Sequence, residues 1–246
     1  MPTLRRWWSA CAGAIDALAF PMECLVCKED GLRSPFCEAC RAELLGAAGT
    51  PCVRCAMPVG PWGDRTKGCS ECRGRALGFD AAIALGPYEG PIRHVCLKLK
   101  REGNAWLARW AADLVFEAHA ERLRGLGAAG VVAVPLHWRR RLARGYNQAE
   151  ALARPIAGRL GLCVSHPLRR VRPTPALARL GRGARASLMR GAFQARAGQS
   201  WGGGTVILVD DILTTGATCG EAARALKRAG AGRVVVVVVG RAEGNV

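Results

Sequence analysis

Eight cysteines in the first third of this chain fall into four C-x-x-C pairs: Cys24/Cys27, Cys37/Cys40, Cys52/Cys55 and Cys69/Cys72. Two cysteines three positions apart bridge each other poorly, whereas their thiolates suit one side of a tetrahedral metal. In order, the pairs read C-x2-C-x9-C-x2-C and C-x2-C-x13-C-x2-C. Four thiolates with no histidine and no open position describe structural Zn2+, one ion or two, and not a catalytic metal. Such a metal replaces the apolar core that a segment of about fifty residues lacks. Sequential quartets come first, while interleaved quartets and one filled site beside an empty one also satisfy the spacing. The remaining Cys11, Cys96, Cys163 and Cys219 read as small core residues. Unpaired cysteines of this kind fit a reducing, cytoplasmic compartment.

Composition changes sharply near residue 78. The stretch from Cys24 to Arg75 is rich in Gly and Pro and has almost no helical periodicity, while strand and helix patterns return after Phe79. Two domains are expected: an N-terminal helix with a double zinc ribbon over 1–78, and a larger domain over 79–246. Arg5-Arg6 ahead of an apolar stretch resembles an export signal, but Asp16 interrupts it and no small-residue cleavage site follows. The first helix is expected to pack on the rest of the chain through Trp7, Trp8, Ile15, Leu18 and Phe20. No apolar run reaches the roughly 20 residues that a membrane helix needs, so no membrane span is expected.

The second domain alternates buried strands with helices. Strands are expected at Asp80–Leu85, Val131–Val134, Thr205–Val209 and Val234–Val239, the last a run of six valines. Helices are expected at 91–100, 104–123, 147–160 and 218–229, the second carrying Trp106, Leu107, Trp110, Leu114 and Val115 at helical spacing. This alternation predicts an α/β fold, a parallel sheet with helices on both faces.

The most informative stretch runs from Val206 to Thr218. An apolar strand ends in Asp210-Asp211, and the turn Thr214-Thr215-Gly216-Ala217-Thr218 then opens a helix. Ligands of open α/β sheets bind at the carboxyl ends of strands. The turn offers backbone N–H groups, hydroxyls and the positive end of a helix dipole, a seat for a phosphate monoester. A nucleoside triphosphate site would carry a lysine in such a loop. Paired carboxylates beside a phosphate seat suit a sugar phosphate instead, whose cis-diol donates hydrogen bonds to them.

This stretch resembles the phosphoribosyl pyrophosphate (PRPP) loop of type I phosphoribosyltransferases. With the double C-x-x-C region and the run Val134 to Gln148, the chain is similar end to end to the ComF family, whose members join a zinc-binding N-terminus to a phosphoribosyltransferase-like domain and are linked to competence for DNA uptake. The resemblance implies that Asp210 and Asp211 hold the ribose hydroxyls and serve catalysis, and that Thr214, Thr215, Gly216, Ala217 and Thr218 hold the 5′-phosphate. It further implies a pyrophosphate loop at Pro135, Leu136 and His137 with Arg144, Mg2+ bound with PRPP, and transfer of the phosphoribosyl group to an acceptor. The family's Arg-Gly-Tyr/Phe-Asn-Gln element is complete as Arg144 to Gln148. Thr174, Arg185 and Gly191-Ala192-Phe193 follow the family pattern, but Leu177 stands where it has Gln and Leu188 where it has Asn.

The formal net charge is +17, with 36 basic and 19 acidic residues. Fourteen arginines and the single acid Glu150 lie between Arg139 and Arg196. Two or three cations suffice for a pyrophosphate, so the excess keeps a second function in view: a DNA-uptake accessory protein that binds single-stranded DNA or a helicase partner, with PRPP regulatory or vestigial. Trp138, Tyr146, Phe193 and Trp201 are the candidate stacking residues near that segment. Lys98 and Lys100, ahead of Gly103, either face the pyrophosphate or, the commoner case, are helix-surface lysines, and His94 and His137 read as structural.

Overall fold

The computed structural model describes residues 23–30, 32–60, 67–172, 182–196 and 201–243. Trp7, Trp8, Cys11, Ile15, Leu18, Phe20, Thr174 and Leu177 lie outside the described residues. Two compact units emerge, Met1–Glu43 and Leu44–Val246. The composition change at residue 78 does not coincide with this division, because the second cysteine quartet is hydrogen-bonded into the larger unit. Ala82 N–H donates to Val53 O at 3.4 Å and Arg241 Nε donates to Cys55 O at 2.7 Å.

In the smaller unit, Cys24, Cys37 and Cys40 are buried, with Val26 and Leu32 packed against them. Helix α1 (Glu38–Gly46) begins inside a stretch that the sequence pattern assigns no helix. Glu, Ala, Arg and Leu are all strong helix formers, and only two buried positions, Cys40 and Leu44, one of them a cysteine already read as a metal ligand, leave too faint a stripe to register as periodicity; the helix runs across the division between the two units.

The larger unit is built on a parallel sheet in the order β1-β8-β6-β2-β3, with β7 also paired to β8. Its strands are β1 (Ala81–Pro87), β2 (Ala128–Ala133), β3 (Val164–Ser165), β6 (Thr205–Val209), β7 (Ile212–Leu213) and β8 (Arg233–Arg241), while β4 (Leu168–Arg170) and β5 (Phe193–Ala195) form a separate antiparallel pair. The helices are α2 (Gly90–Lys98), α3 (Leu107–Arg124), α4 (Trp138–Arg144), α5 (Gln148–Arg159), α6 (Arg182–Met189) and α7 (Ala217–Arg228). The α/β class with a parallel sheet is as expected. Val206 to Val209 and Val234 to Val239 are buried, as continuous apolar strands covered on both faces must be.

Connectivity locates the binding crevice. The β1-to-β2 and β2-to-β3 connections run toward one edge of the sheet and the β6-to-β8 connection toward the other, so right-handed crossovers put α3 and α5 on one face and α7 on the opposite one. Adjacent strands β2 and β6 are therefore the point where the winding reverses, and a crevice opens beyond their carboxyl ends. Two details depart from the sequence pattern. Residues Asn104–Trp106 form a 3-10 turn ahead of α3, and Trp106 and Trp110 are exposed, so the buried stripe of α3 is carried by Leu107, Ala111, Leu114 and Val115. Cys96 and Cys219 are buried as expected, but Cys163 is exposed, because it lies just past α5, ahead of the short edge strand β3.

Candidate functional site

The eight paired cysteines gather as two sequential quartets, Cys24/Cys27/Cys37/Cys40 and Cys52/Cys55/Cys69/Cys72, with the sulfurs of each within 4.8 Å of one another. Tetrahedral zinc with Zn–S of about 2.3 Å sets its sulfurs roughly 3.8 Å apart. The separations Cys27–Cys37 at 3.6 Å, Cys52–Cys72 at 3.8 Å and Cys55–Cys69 at 3.5 Å match that geometry, so both quartets fit a zinc ion and together fit a double zinc ribbon. The leading pair of each quartet is folded alike. Lys28 and Ala56, each directly after the second cysteine of its pair, both take positive φ, 73° and 58°, an uncommon conformation for residues other than glycine. Their N–H groups donate to Cys24 O at 3.1 Å and Cys52 O at 2.8 Å. Burial disfavours ionisation of Cys24 and Cys52, but backbone N–H groups outweigh it and hold these thiols at about 6 and about 7. Cys40 and Cys55 go the other way, pushed up by burial and by the neighbouring sulfurs, so within each quartet Cys24 and Cys52 are the thiols that give up a proton to a metal most readily.

The second site is a cleft of about 210 Å³ at the carboxyl ends of β2 and β6. From the β2 side come Val134, Pro135 and Leu136; from the β6 side come Asp210, Asp211, Ile212, Thr214 and Thr218. Asp210 and Asp211 form a bulge between β6 and β7. Asp210 N–H donates to Val237 O at 3.1 Å, and Asp211 O accepts from Val239 and Gly240 N–H, both at 3.1 Å. The ladder to β8 thus continues around the two carboxylates and fixes them in place.

Three cations share the cleft: Lys100, Arg144 and Arg170. Lys100 lies beyond the end of α2, and its Nζ reaches Asp211 Oδ2 at 3.6 Å; it belongs to the cleft and not to a helix surface. Burial raises the Asp210 carboxyl to about 7, the charge of Asp211 adds to the effect, and the Asp211 N–H and Lys100 oppose it. Cys219 Sγ approaches Asp210 Oδ2 at 3.6 Å, and burial together with that carboxylate pushes its thiol well up, so this cysteine stays neutral.

The Thr-Gly loop divides its residues. Thr214 and Thr218 face the cleft. Thr215 is buried and its Oγ1 accepts from Ala217 N–H at 3.3 Å, holding the turn into α7. Gly216 supplies the left-handed φ of 80° that the turn requires. Thr215, Gly216 and Ala217 border a second hollow with Arg75, Ala76, Leu77 and Arg224. His137 does not line the cleft; its ring lies 5.8 Å from that of Trp138.

The structure adds residues to which sequence reasoning gave no role. Asn147 caps α5, accepting from Ala149 N–H at 3.2 Å and donating to Val134 O at 3.2 Å, which ties this helix to the end of β2. Gln148 lines the cleft at 3% exposure, and its Nε2 has no hydrogen-bond partner among the described residues. Their membership of the Arg144 to Gln148 element was the available signal. Arg170 and Arg241 carried none, because only the fold brings them near.

No family model matches the chain. Over 189 residues it is 30% identical to the DNA utilization protein YhgH of Salmonella typhi, an alignment that spans 75% of this chain and 81% of that protein. Its likeness to competence protein F of Haemophilus influenzae extends over 224 residues at 25% identity, 89% of this chain and 90% of the relative. YhgH of Escherichia coli K12 is 29% identical over 192 residues, 76% and 82% of the two chains. With likeness of this extent, and two thiolate quartets ahead of a parallel α/β sheet, the chain belongs to the ComF family, that of competence protein F and YhgH.

Proposed function

We propose that the cleft binds PRPP together with Mg2+, and that the domain transfers the phosphoribosyl group to a nucleophile with release of pyrophosphate in the service of DNA utilization. The observation that carries the reading is the pairing of Asp210 and Asp211 with Lys100, Arg144 and Arg170 in one cleft, where the winding of the sheet reverses. The carboxylates accept hydrogen bonds from the ribose hydroxyls, and the turn over 214–218 seats the 5′-phosphate through Thr214 and Thr218, the two of its residues that face the cleft. As the bond from the anomeric carbon to pyrophosphate breaks, the electron pair leaves with pyrophosphate, and the cations stabilise the charge that gathers there. The acceptor then bonds to the anomeric carbon and loses its proton. Mg2+, when bound, would further neutralise the pyrophosphate, and Asp210 and Asp211, hard oxygen donors, are the carboxylates that would hold it.

Isothermal titration of PRPP with and without Mg2+, on the wild type and on the Asp210→Asn/Asp211→Asn double variant, tests the assignment. Binding heat in the wild type that vanishes in the variant is expected. Equal heats in both proteins overturn it.

A second reading draws on the names of the relatives, DNA utilization protein and competence protein, and on one surface feature. Helix α4 carries Trp138 at 60% exposure beside Arg141 and Arg144, which is the combination of stacking face and cations that single-stranded nucleic acid requires. Here the cleft ligand is a regulator, and the partner is single-stranded DNA or a DNA-uptake helicase.

A further inference from the structure

The second cysteine quartet and the Thr-Gly loop are far apart in the chain but share hydrogen bonds. Arg241, at 4% exposure, donates from Nε to Cys55 O at 2.7 Å. Its Nη1 donates to Leu213 O at 3.0 Å, to Thr214 O at 2.8 Å and to Ala242 O. Arg75 Nη2 donates to the next carbonyl, Thr215 O, at 3.0 Å. Arg75 is itself held to the quartet, since Arg54 donates to Arg75 O at 3.2 Å and to Cys72 O at 3.3 Å. Three consecutive loop carbonyls, Leu213, Thr214 and Thr215, are therefore gripped by guanidinium groups anchored on the two knuckles of the quartet, Arg241 on Cys55 O and Arg75, through Arg54, beside Cys72 O. In a trans peptide the N–H points opposite to the C=O. Gripping these carbonyls directs the N–H groups of Thr214, Thr215 and Gly216 away from the arginines and fixes the loop before any ligand arrives.

We infer that Arg241 and Arg75 are positioning residues that couple the second cysteine quartet to the loop, so that a metal on Cys52, Cys55, Cys69 and Cys72 and a phosphate-bearing ligand on the loop strengthen each other. The ligand half of this inference rests on the PRPP reading. Metal holds Cys55 and Cys72 in register, the register holds the two arginines, and the arginines hold the loop. Coupling of this kind is reciprocal: whatever metal gains for the ligand, the ligand gains for metal. A purely structural quartet predicts no such exchange.

The test uses the full, zinc-loaded chain. Zinc release to a chromophoric chelator is followed with and without saturating PRPP and Mg2+. Two phases are expected, one slowed about tenfold by PRPP, equivalent to roughly 1.4 kcal/mol, and one unchanged, the latter from the quartet of the other compact unit. Arg75→Ala, whose side chain is 29% exposed and whose loss spares the buried Arg241, is expected to keep both zinc ions by mass spectrometry and to shrink the effect to under about threefold. A wild type that binds PRPP by calorimetry but releases both zinc ions at unaltered rates overturns the coupling. A second arm needs no ligand: amide exchange over 213–218 is expected to quicken when the second quartet is stripped of zinc, and in Arg75→Ala. Unchanged exchange there overturns the inference, whereas absent PRPP heat with quickened exchange upholds the coupling and overturns only the PRPP reading.

Discussion

At the scale of single residues, Asp210 is the most informative group. Its carboxyl titrates at about 7 because burial and the Asp211 charge resist ionisation, against Lys100 and the Asp211 N–H, with the neutral Cys219 thiol alongside. A folded-state value above the unfolded 3.8 favours the protonated form in the native state. Its contribution to stability is therefore full at low pH and is lost as pH rises through about 7. On the PRPP reading, ligand affinity runs the other way, since ribose hydroxyls need an ionised acceptor. PRPP affinity is expected to rise with pH up to about 7, and Asp210→Asn to abolish that step; calorimetric titration across the range checks both. Gln148 supports a different prediction. A buried amide without a partner costs about 1–3 kcal/mol, so Gln148→Met is expected to leave the melting temperature equal or higher. The same change removes a donor from the cleft and should weaken PRPP about tenfold, a loss near 1.4 kcal/mol. A variant that melts lower and binds normally would show that the amide serves only packing.

At the scale of elements, the approach of the Leu77-Gly78 segment to α7 decides how the loop is held. A Cβ on Gly220 would sit 2.1 Å from Leu77 O, and one on Gly78 would sit 2.4 Å from Gly220 O. Gly220→Ala gains about 1 kcal/mol of helix propensity but forces two backbone segments apart, at a cost of about 2–4 kcal/mol. The clash wins, because a backbone carbonyl cannot swing aside as a side chain can. Gly158→Ala in α5 meets nothing within 4 Å and should stabilise by about 0.5–1 kcal/mol. Thermal melts of the two variants are expected to move in opposite directions. Both glycines lie inside helical patterns, and sequence alone does not tell them apart.

At the scale of the whole molecule, the basic segment is less uniform than its arginine count suggests. Of Trp138, Tyr146, Phe193 and Trp201, Phe193 and Trp201 are buried and the Tyr146 hydroxyl donates to Leu99 O, which leaves Trp138, at 60% exposure, the most exposed of these four. Single-stranded DNA is expected to bind with a log–log salt slope of about −2 to −4, as three to five phosphate contacts give. Trp138→Ala should weaken it about tenfold, within the range for one stacked base. Fluorescence anisotropy over a salt series reads both quantities, and a flat response would remove DNA from consideration. Among the described residues no helix is long and apolar enough to cross a membrane.

Short-range chemistry was legible in the chain itself. The C-x-x-C spacing announced two thiolate quartets, because a knuckle needs only four consecutive residues. The strand ending in Asp210-Asp211 was equally plain, because an apolar run closed by charges and a Gly turn is a local pattern. The run of valines in β8 marked a buried parallel strand for the same reason. Only the tertiary structure decided that Lys100 reaches Asp211, that Arg170 enters the cleft, and that Arg241 and Arg75 clasp the loop from the second quartet. These contacts join residues many tens of positions apart, and an arginine in a chain already rich in arginine carries no mark of the carbonyl it will meet. The sequence determined which chemistry the chain holds; the winding of the sheet, through the reversal between β2 and β6, decided which pieces of it share one cleft.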